Sequence, residues 1–416
     1  MNPEAPLPPH VRRFIGARAL NTLGRAVISA TVYWELYERT RDPLVLAAVG
    51  AIQVLPVVLL FVPAGDLVDR SDRRWLATLA ATGAGVVGVG LSLASALAAP
   101  VWVYLALLLA LGAGTAVHAP AASSLLPMIA ERGQLPRTNR VLSSFSELSQ
   151  IGGPSLAGVA LAAVAPHWIY GFVAVTGLLA GVLYRSLPPP RRSAPIAGAP
   201  ARDWRVGLRY IARSPLLLPA MALDMFAVLF AGVTALLPAI ASDILHVGPV
   251  GYGVLRASQA TGAVTMAVLG GRLPPWRRPG RVLLVVVALF GVATVGIGLS
   301  RWLPLTVALL VACGALDNIS VVIRLTLEQL VVPDAIRGRV GSVHFVFIGM
   351  SNELGAAESG LAARLVGVVP TIVAGGALAV IVVGLVALRW PALATMPPLA
   401  ELRPPDEPDA PGAPGS

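Results

Sequence analysis

Asp224 and Asp317 each stand inside a long apolar stretch, where a charged side chain has no evident solvent. Asn21, Arg25, Gln53, Glu147, Arg256, Asn352 and Glu353 occupy comparable stretches. An ionisable group in the middle of a bilayer costs roughly 2.5–3.5 kcal/mol or more, so such groups point to ion pairing, proton movement or the binding of polar cargo. A carboxylate at that depth gains or loses a proton as its cavity dries or floods. By helix position, Arg25 and Arg256 are the cations expected beside Asp224, so that protonation of Asp224 would release an arginine. Asp317 could serve the same role. Arg324 and Glu328, one helical turn apart, are expected to form a structural pair. His118 reads as a packed or solvated histidine and Glu35 as an interfacial carboxylate. No catalytic constellation emerges. The carboxylates are scattered singly, Cys313 is the one cysteine, and the absence of lysine removes any nucleotide-binding P-loop. A membrane-embedded transferase would need clustered carboxylates or a His–Asp set, so no enzymatic activity and no cofactor or metal are expected.

The elements that carry these residues follow from composition. The chain has 416 residues, of which 56% are hydrophobic and 12% charged. Soluble domains carry roughly 25% charged residues, about twice as many. Apolar runs recur to about residue 390, which predicts an all-α membrane protein with spans near 14–38, 44–64, 75–98, 101–122, 139–163, 167–187, 215–241, 250–271, 281–300, 303–327, 338–362 and 367–390, roughly twelve in all. The first run carries Arg18, Asn21 and Arg25 and lacks a small-residue cleavage site, so it reads as a retained helix. The net charge of +10 is wholly arginine. Arginines cluster after spans 2, 4, 6, 8 and 10, whereas the alternate loops are short and carry few. That bias places the arginine-rich loops and both termini in the cytoplasm, and it explains the charge without nucleic acid. The Pro-rich segment 188–214 reads as a cytoplasmic linker ending in an amphipathic helix at the membrane surface. Residues 391–416 read as a disordered tail.

The chain repeats internally. At an offset of 202, Arg137 aligns with Arg339, Val141 with Val343, Phe145 with Phe347, Ser149 with Ser351, Gly153 with Gly355 and Gly158 with Gly360. At 203, Asn21 aligns with Asp224, Gly50 with Gly253 and Gln53 with Arg256. Two parallel six-helix halves, 1–187 and 215–390, are therefore expected.

Between spans 2 and 3 lies "PAGDLVDRSDRRWLATL", with six charges between two apolar runs. It resembles the signature hairpin of the major facilitator superfamily through Gly65, Leu67, Asp69, Arg70, Arg73 and Arg74, although Asp72 replaces the usual second glycine. "DPLVLAAVGAIQVLP", "LDNISVVIRLTLEQLVVPDAIRGRV" and "FIGMSNELGAAESG" resemble the enterobactin-exporter-like branch of drug and siderophore exporters. In helix 5, "SQIGGPSLAG" resembles an antiporter signature through Gly153, Pro154 and Gly158. The resemblance implies a major facilitator fold, a central cavity lined by spans 1, 2, 4, 5, 7, 8, 10 and 11, and alternating access. It also implies proton-coupled export of a small amphipathic molecule from a bacterial cytoplasmic membrane, by a monomer whose partners are cargo, protons and the lipid bilayer. Asp69 would face the N-terminal end of span 11 and hold a cytoplasmic gate. The second-half copy, "LGGRLPPWRRPGRVL", has Pro275 near the expected acid, which implies an asymmetric gate. Import, or a non-transporting receptor of the same fold, remains the alternative. A cysteine introduced at Ser193 should resist an impermeant thiol reagent added to intact cells; strong labelling would overturn the orientation.

Overall fold

The computed structural model describes residues 7–130, 134–189, 204–270, 272 and 276–402. Proline or an acidic cap sets several helix starts. Pro9 opens α1 (Pro9–Thr40), and Pro43 opens α2 (Pro43–Arg70), where the Asp42 carboxylate accepts from the Leu44 amide. Asp72 begins α3 (Arg73–Ala96) by accepting from the amides of Arg74 and Trp75 at 2.8 and 3.3 Å. The residue that departs from the hairpin pattern is thus an N-cap. The first half continues with α4 (Val101–Ile129), α5 (Leu135–Ala163) and α6 (Pro166–Arg185). A short helix, α7 (Trp204–Arg213), then leads into the second half.

Span 7 is broken, where a continuous helix was expected. Its helix α8 (Leu217–Ala231) stops at Gly232 and continues as a 3-10 turn (Val233–Leu236), α9 (Leu237–Ala239) and a π turn (Ile240–Ile244). Gly232 favours departure from helix, and Pro238 lacks the amide that a continuous helix would use. The second half closes with α10 (Gly248–Gly270), α11 (Pro279–Leu299), α12 (Leu303–Val331), α13 (Asp334–Val366) and α14 (Val368–Arg389).

Eight of the described spans are long and apolar enough to cross a bilayer by composition alone. The other four, α1, α5, α10 and α13, carry most of the deep polar groups. Trp102, Trp168 and Trp302 are exposed at the starts of α4, α6 and α12, all at the end opposite the termini, where they form part of an aromatic belt. The expected tail begins later than residue 391. Pro391–Ala394 form a short helix, α15, and Leu393 and Met396 are buried in the second-half core. Apolar residues spaced three apart (Leu393, Met396, Leu399, Leu402) provide a packing stripe that the surrounding prolines mask. Residues 403–416, like 190–203 of the linker and Pro275, lie outside the described residues.

Helix neighbours repeat between the halves. The pairs α1·α5, α1·α6, α2·α4 and α3·α6 correspond to α8·α13, α8·α14, α10·α12 and α11·α14. The halves meet through α2·α13 and α5·α10. At both seams small residues bring backbones together. A Cβ on Gly50 would lie 2.8 Å from the Ala356 Cβ, and one on Gly360 would meet Ala47. Gly158 and Gly253 face each other with no room for a side chain. The Tyr252 hydroxyl donates to the Ala30 carbonyl at 2.9 Å, and its ring stacks on Trp34. Arg41, at the end of α1, pairs with Asp243 of the π turn at 2.8 Å, and Ser242 donates to Glu38 at 2.7 Å. These contacts seal the end of the bundle opposite the termini. Gly158→Val should loosen that seal. In a Cys313→Ser, Ser242→Cys background it should speed thiol labelling at position 242, and unchanged labelling would show that this glycine contact does not hold the closed end.

Candidate functional site

Two polar regions lie deep in the bundle. The first sits between the halves. Arg25 lies near the middle of α1 with its side chain solvent-accessible. It donates to the Thr115 hydroxyl of α4 at 2.7 Å. Arg256 of α10 reaches across to the Ser29 hydroxyl at 3.4 Å, and its buried Nε has no hydrogen-bond partner. Glu353 of α13 is within electrostatic reach of both arginines and of Tyr33. Asn352 is exposed beside it. One turn or more toward the termini, Asn21 meets His118 at 3.4 Å, and Arg18 lies within electrostatic reach of both His118 and Arg25. His118 is buried against Tyr184, in keeping with a packed histidine. Gln53 donates to the Val49 carbonyl of its own helix at 3.2 Å.

The second region lies inside the second half. Asp224 of α8 forms a buried ion pair with Arg324 of α12. This corrects two expectations: the cation beside Asp224 is neither Arg25 nor Arg256, and Arg324 does not pair with Glu328. Glu328 instead meets His344 of α13, again in a buried pair. The reason is geometric. Arg324 and Glu328 are neighbours along α12, but the packing of α8 and α13 on either side gives each of them a nearer partner in another helix. Asp317 lies across a small pocket from Asp224, between Ser320 of α12 and Val286, Val287 and Phe290 of α11. Along α12 the groups thus run Asp317, Arg324, Glu328 from mid-helix toward the termini. At an offset of 203, the first half places Ala121 and Leu125 opposite Arg324 and Glu328, both fully buried and apolar. Among the described residues, the first half has no counterpart of the Arg324 and Glu328 contacts at these positions.

Among the hairpin residues, Arg74 donates to the Leu187 carbonyl at 2.7 Å and Arg73 reaches the Met128 sulfur, so both tie α3 to neighbouring segments. Leu67 and Arg70 are exposed. For Gly65, Asp69 and Glu147 only the carrying helix is described, so the gate contact of Asp69 and the role of Glu147 fall outside the described side chains. Pro154 lies within α5, Gly153 packs on Ala26, and Gly158 forms the α5·α10 seam. The expected interfacial Glu35 is buried, accepting from Ser95 and Tyr104 at 2.8 Å. Sequence reasoning missed His344, Ser29, Thr115 and Asp243. His344, a histidine in the apolar stretch 343–350 of α13, was the one with a visible signal.

Removing one partner of a buried ion pair costs about 3–5 kcal/mol, because the remaining charge is orphaned. Arg324→Met should therefore lower the thermal stability of the purified protein markedly. The double variant Asp224→Asn/Arg324→Met should recover most of that loss. A single variant as stable as the parent would show that the pair is not maintained in solution.

A profile of the Major Facilitator Superfamily matches residues 14–357. The enterobactin exporter EntS of Citrobacter koseri is 28% identical over 384 residues, covering 89% of this chain and 88% of that protein. Macrolide efflux protein A of Streptococcus pyogenes is 22% identical over 363 residues, covering 84% and 88%. Among solved structures, a bacterial homolog of the human lysosomal transporter Spinster, in an inward-facing and occupied conformation, aligns with a TM-score of 0.74 at 14% identity over 95% of this chain and 98% of that one. The nucleoside transporter NupG aligns with a TM-score of 0.67 at 12% identity, covering 92% and 99%. With this profile match, its repeated helix pairing and its polar interior, the chain belongs to the Major Facilitator Superfamily.

Proposed function

We propose that this multi-pass membrane transporter is a proton-coupled exporter of small amphipathic molecules, working by alternating access with both termini in the cytoplasm. The observation that carries the reading is the buried acidic network confined to the second half: Asp224 paired with Arg324, and Asp317 across the same pocket. A carboxylate whose only countercharge is one arginine changes its pairing when it is protonated. That change loosens α8 from α12. Because α8 runs through the broken segment to Asp243 and the Arg41 contact, a change at Asp224 is mechanically connected to the seal at the far end. Export is supported by the two relatives named for efflux and by the antiporter-like helix α5. The arginine-rich loops support the orientation.

The test uses proteoliposomes with an imposed pH gradient and a panel of dansyl probes of different charge. Asp224→Asn/Arg324→Gln, which leaves no orphan charge, should still exchange probe down its own gradient. It should lose accumulation driven by pH. Asp317→Asn serves as the comparison. Full pH-driven accumulation in the double variant together with loss in Asp317→Asn would move the coupling role to Asp317. Retention in both would overturn proton coupling through this network.

A further inference from the structure

We infer that the polar region between the halves selects cargo bearing an anionic group, held between Arg25 of the first half and Arg256 of the second; this rests on the transport reading above. Among the described residues, the charged groups within electrostatic reach of one another between the halves are Arg18, Arg25, Arg256 and Glu353. Three cations against one anion leave this described set electropositive, with buried His118 within electrostatic reach of Arg18 and Tyr33 within reach of Glu353. The carboxylates of the second region do not offset this. Asp224 is already paired with Arg324, and Asp317 opens into a pocket walled by the peripheral helix α11.

Neither arginine is satisfied by a direct ion pair. Arg25 donates to a threonine hydroxyl and Arg256 to a serine hydroxyl at the limit of hydrogen-bond distance, while the Arg256 Nε is buried without a partner. No described carboxylate lies within 4.0 Å of either guanidinium. A guanidinium left this way recognises a carboxylate, sulfonate or phenolate oxygen through charge-assisted hydrogen bonds, and its planar fork favours two at once. Arg18 and Arg25 lie in order along α1 from the terminal end, so an anion entering from that end meets one cation before reaching the site. Because Arg25 and Arg256 belong to opposite halves, an anion bound to both ties the halves together from the inside. Glu353 competes with it for the same cations, and a cationic cargo would be opposed by all three arginines.

The probes are N-dansylglycine (carboxylate), dansyl amide (neutral) and dansylcadaverine (ammonium), bound to the purified full chain in nanodiscs and followed by fluorescence polarisation. N-Dansylglycine should bind most tightly and dansylcadaverine least. Arg25→Gln and Arg256→Gln should each weaken N-dansylglycine by roughly 10- to 100-fold, the worth of one charged hydrogen bond, and leave dansyl amide unchanged. Arg25→Lys and Arg256→Lys should restore part of the loss, which separates charge recognition from misfolding. Glu353→Gln should tighten N-dansylglycine. The inference is overturned by equal or preferential binding of dansylcadaverine, by no measurable N-dansylglycine binding, or by arginine variants that weaken all three probes alike. Proteoliposome transport of the same probes is read separately. Selective binding without gradient-driven transport would sink the transport reading alone, whereas transport that prefers the ammonium probe would sink the anion inference alone.

Discussion

A charge persists inside a bilayer only where another charge or water meets it. Both solutions occur in this protein, in different places. Asp224 and Arg324 form a buried ion pair between α8 and α12, and Glu328 meets His344 in a buried contact between α12 and α13. Arg25 remains solvent-accessible between the halves, close enough to Glu353 to be attracted but not paired. The helices that bear these groups are α1, α8, α12 and α13. The peripheral spans α3, α6, α11 and α14 expose leucine, valine or isoleucine on their outer faces.

Closure of one end follows from a different economy of contact. Lipid offers apolar side chains as good a surface as protein does, so helices in a membrane associate through close backbone approach and polar contacts. Gly158 against Gly253 and Gly50 against Ala356 supply the approach, and Arg41 with Asp243 supplies the polar contact. A seam of small residues can part without exposing a large apolar face, which suits an interface that opens and closes repeatedly. The π turn places Ser242 and Asp243 within reach of α1; a regular helix through Gly232 and Pro238 would direct them elsewhere.

The two halves share a frame and differ in chemistry. Gly50 and Gly253, related by the repeat, form equivalent seams, whereas Asn21 and Asp224, also related, do not behave alike. Asn21 meets a histidine; Asp224 meets an arginine for which the first half has only an alanine at the corresponding place. The repeat thus duplicates helix geometry while leaving the buried charges unequal between the halves.

The amino-acid sequence by itself marked eight spans by apolar length, and the internal repeat supported the more polar α1, α5, α10 and α13. It also marked Asp224, Arg25, Arg256 and Glu353 as special, because a charge in an apolar run stands out without any partner being known. The capping role of Asp72 was readable in principle, since a cap acts on amides two and three residues ahead. Only the tertiary structure decided the partners. Arg324 and Glu328, adjacent along their helix, were drawn apart to Asp224 and His344 because flanking helices came closer than the next turn. The ordered stretch after Pro391 was likewise settled by packing against the second-half core, whereas the break in span 7 follows Gly232 and Pro238, both visible in the sequence. Local pattern records what a residue is able to do, and pairing energy depends on distances that are set only when helices far apart in the chain come together.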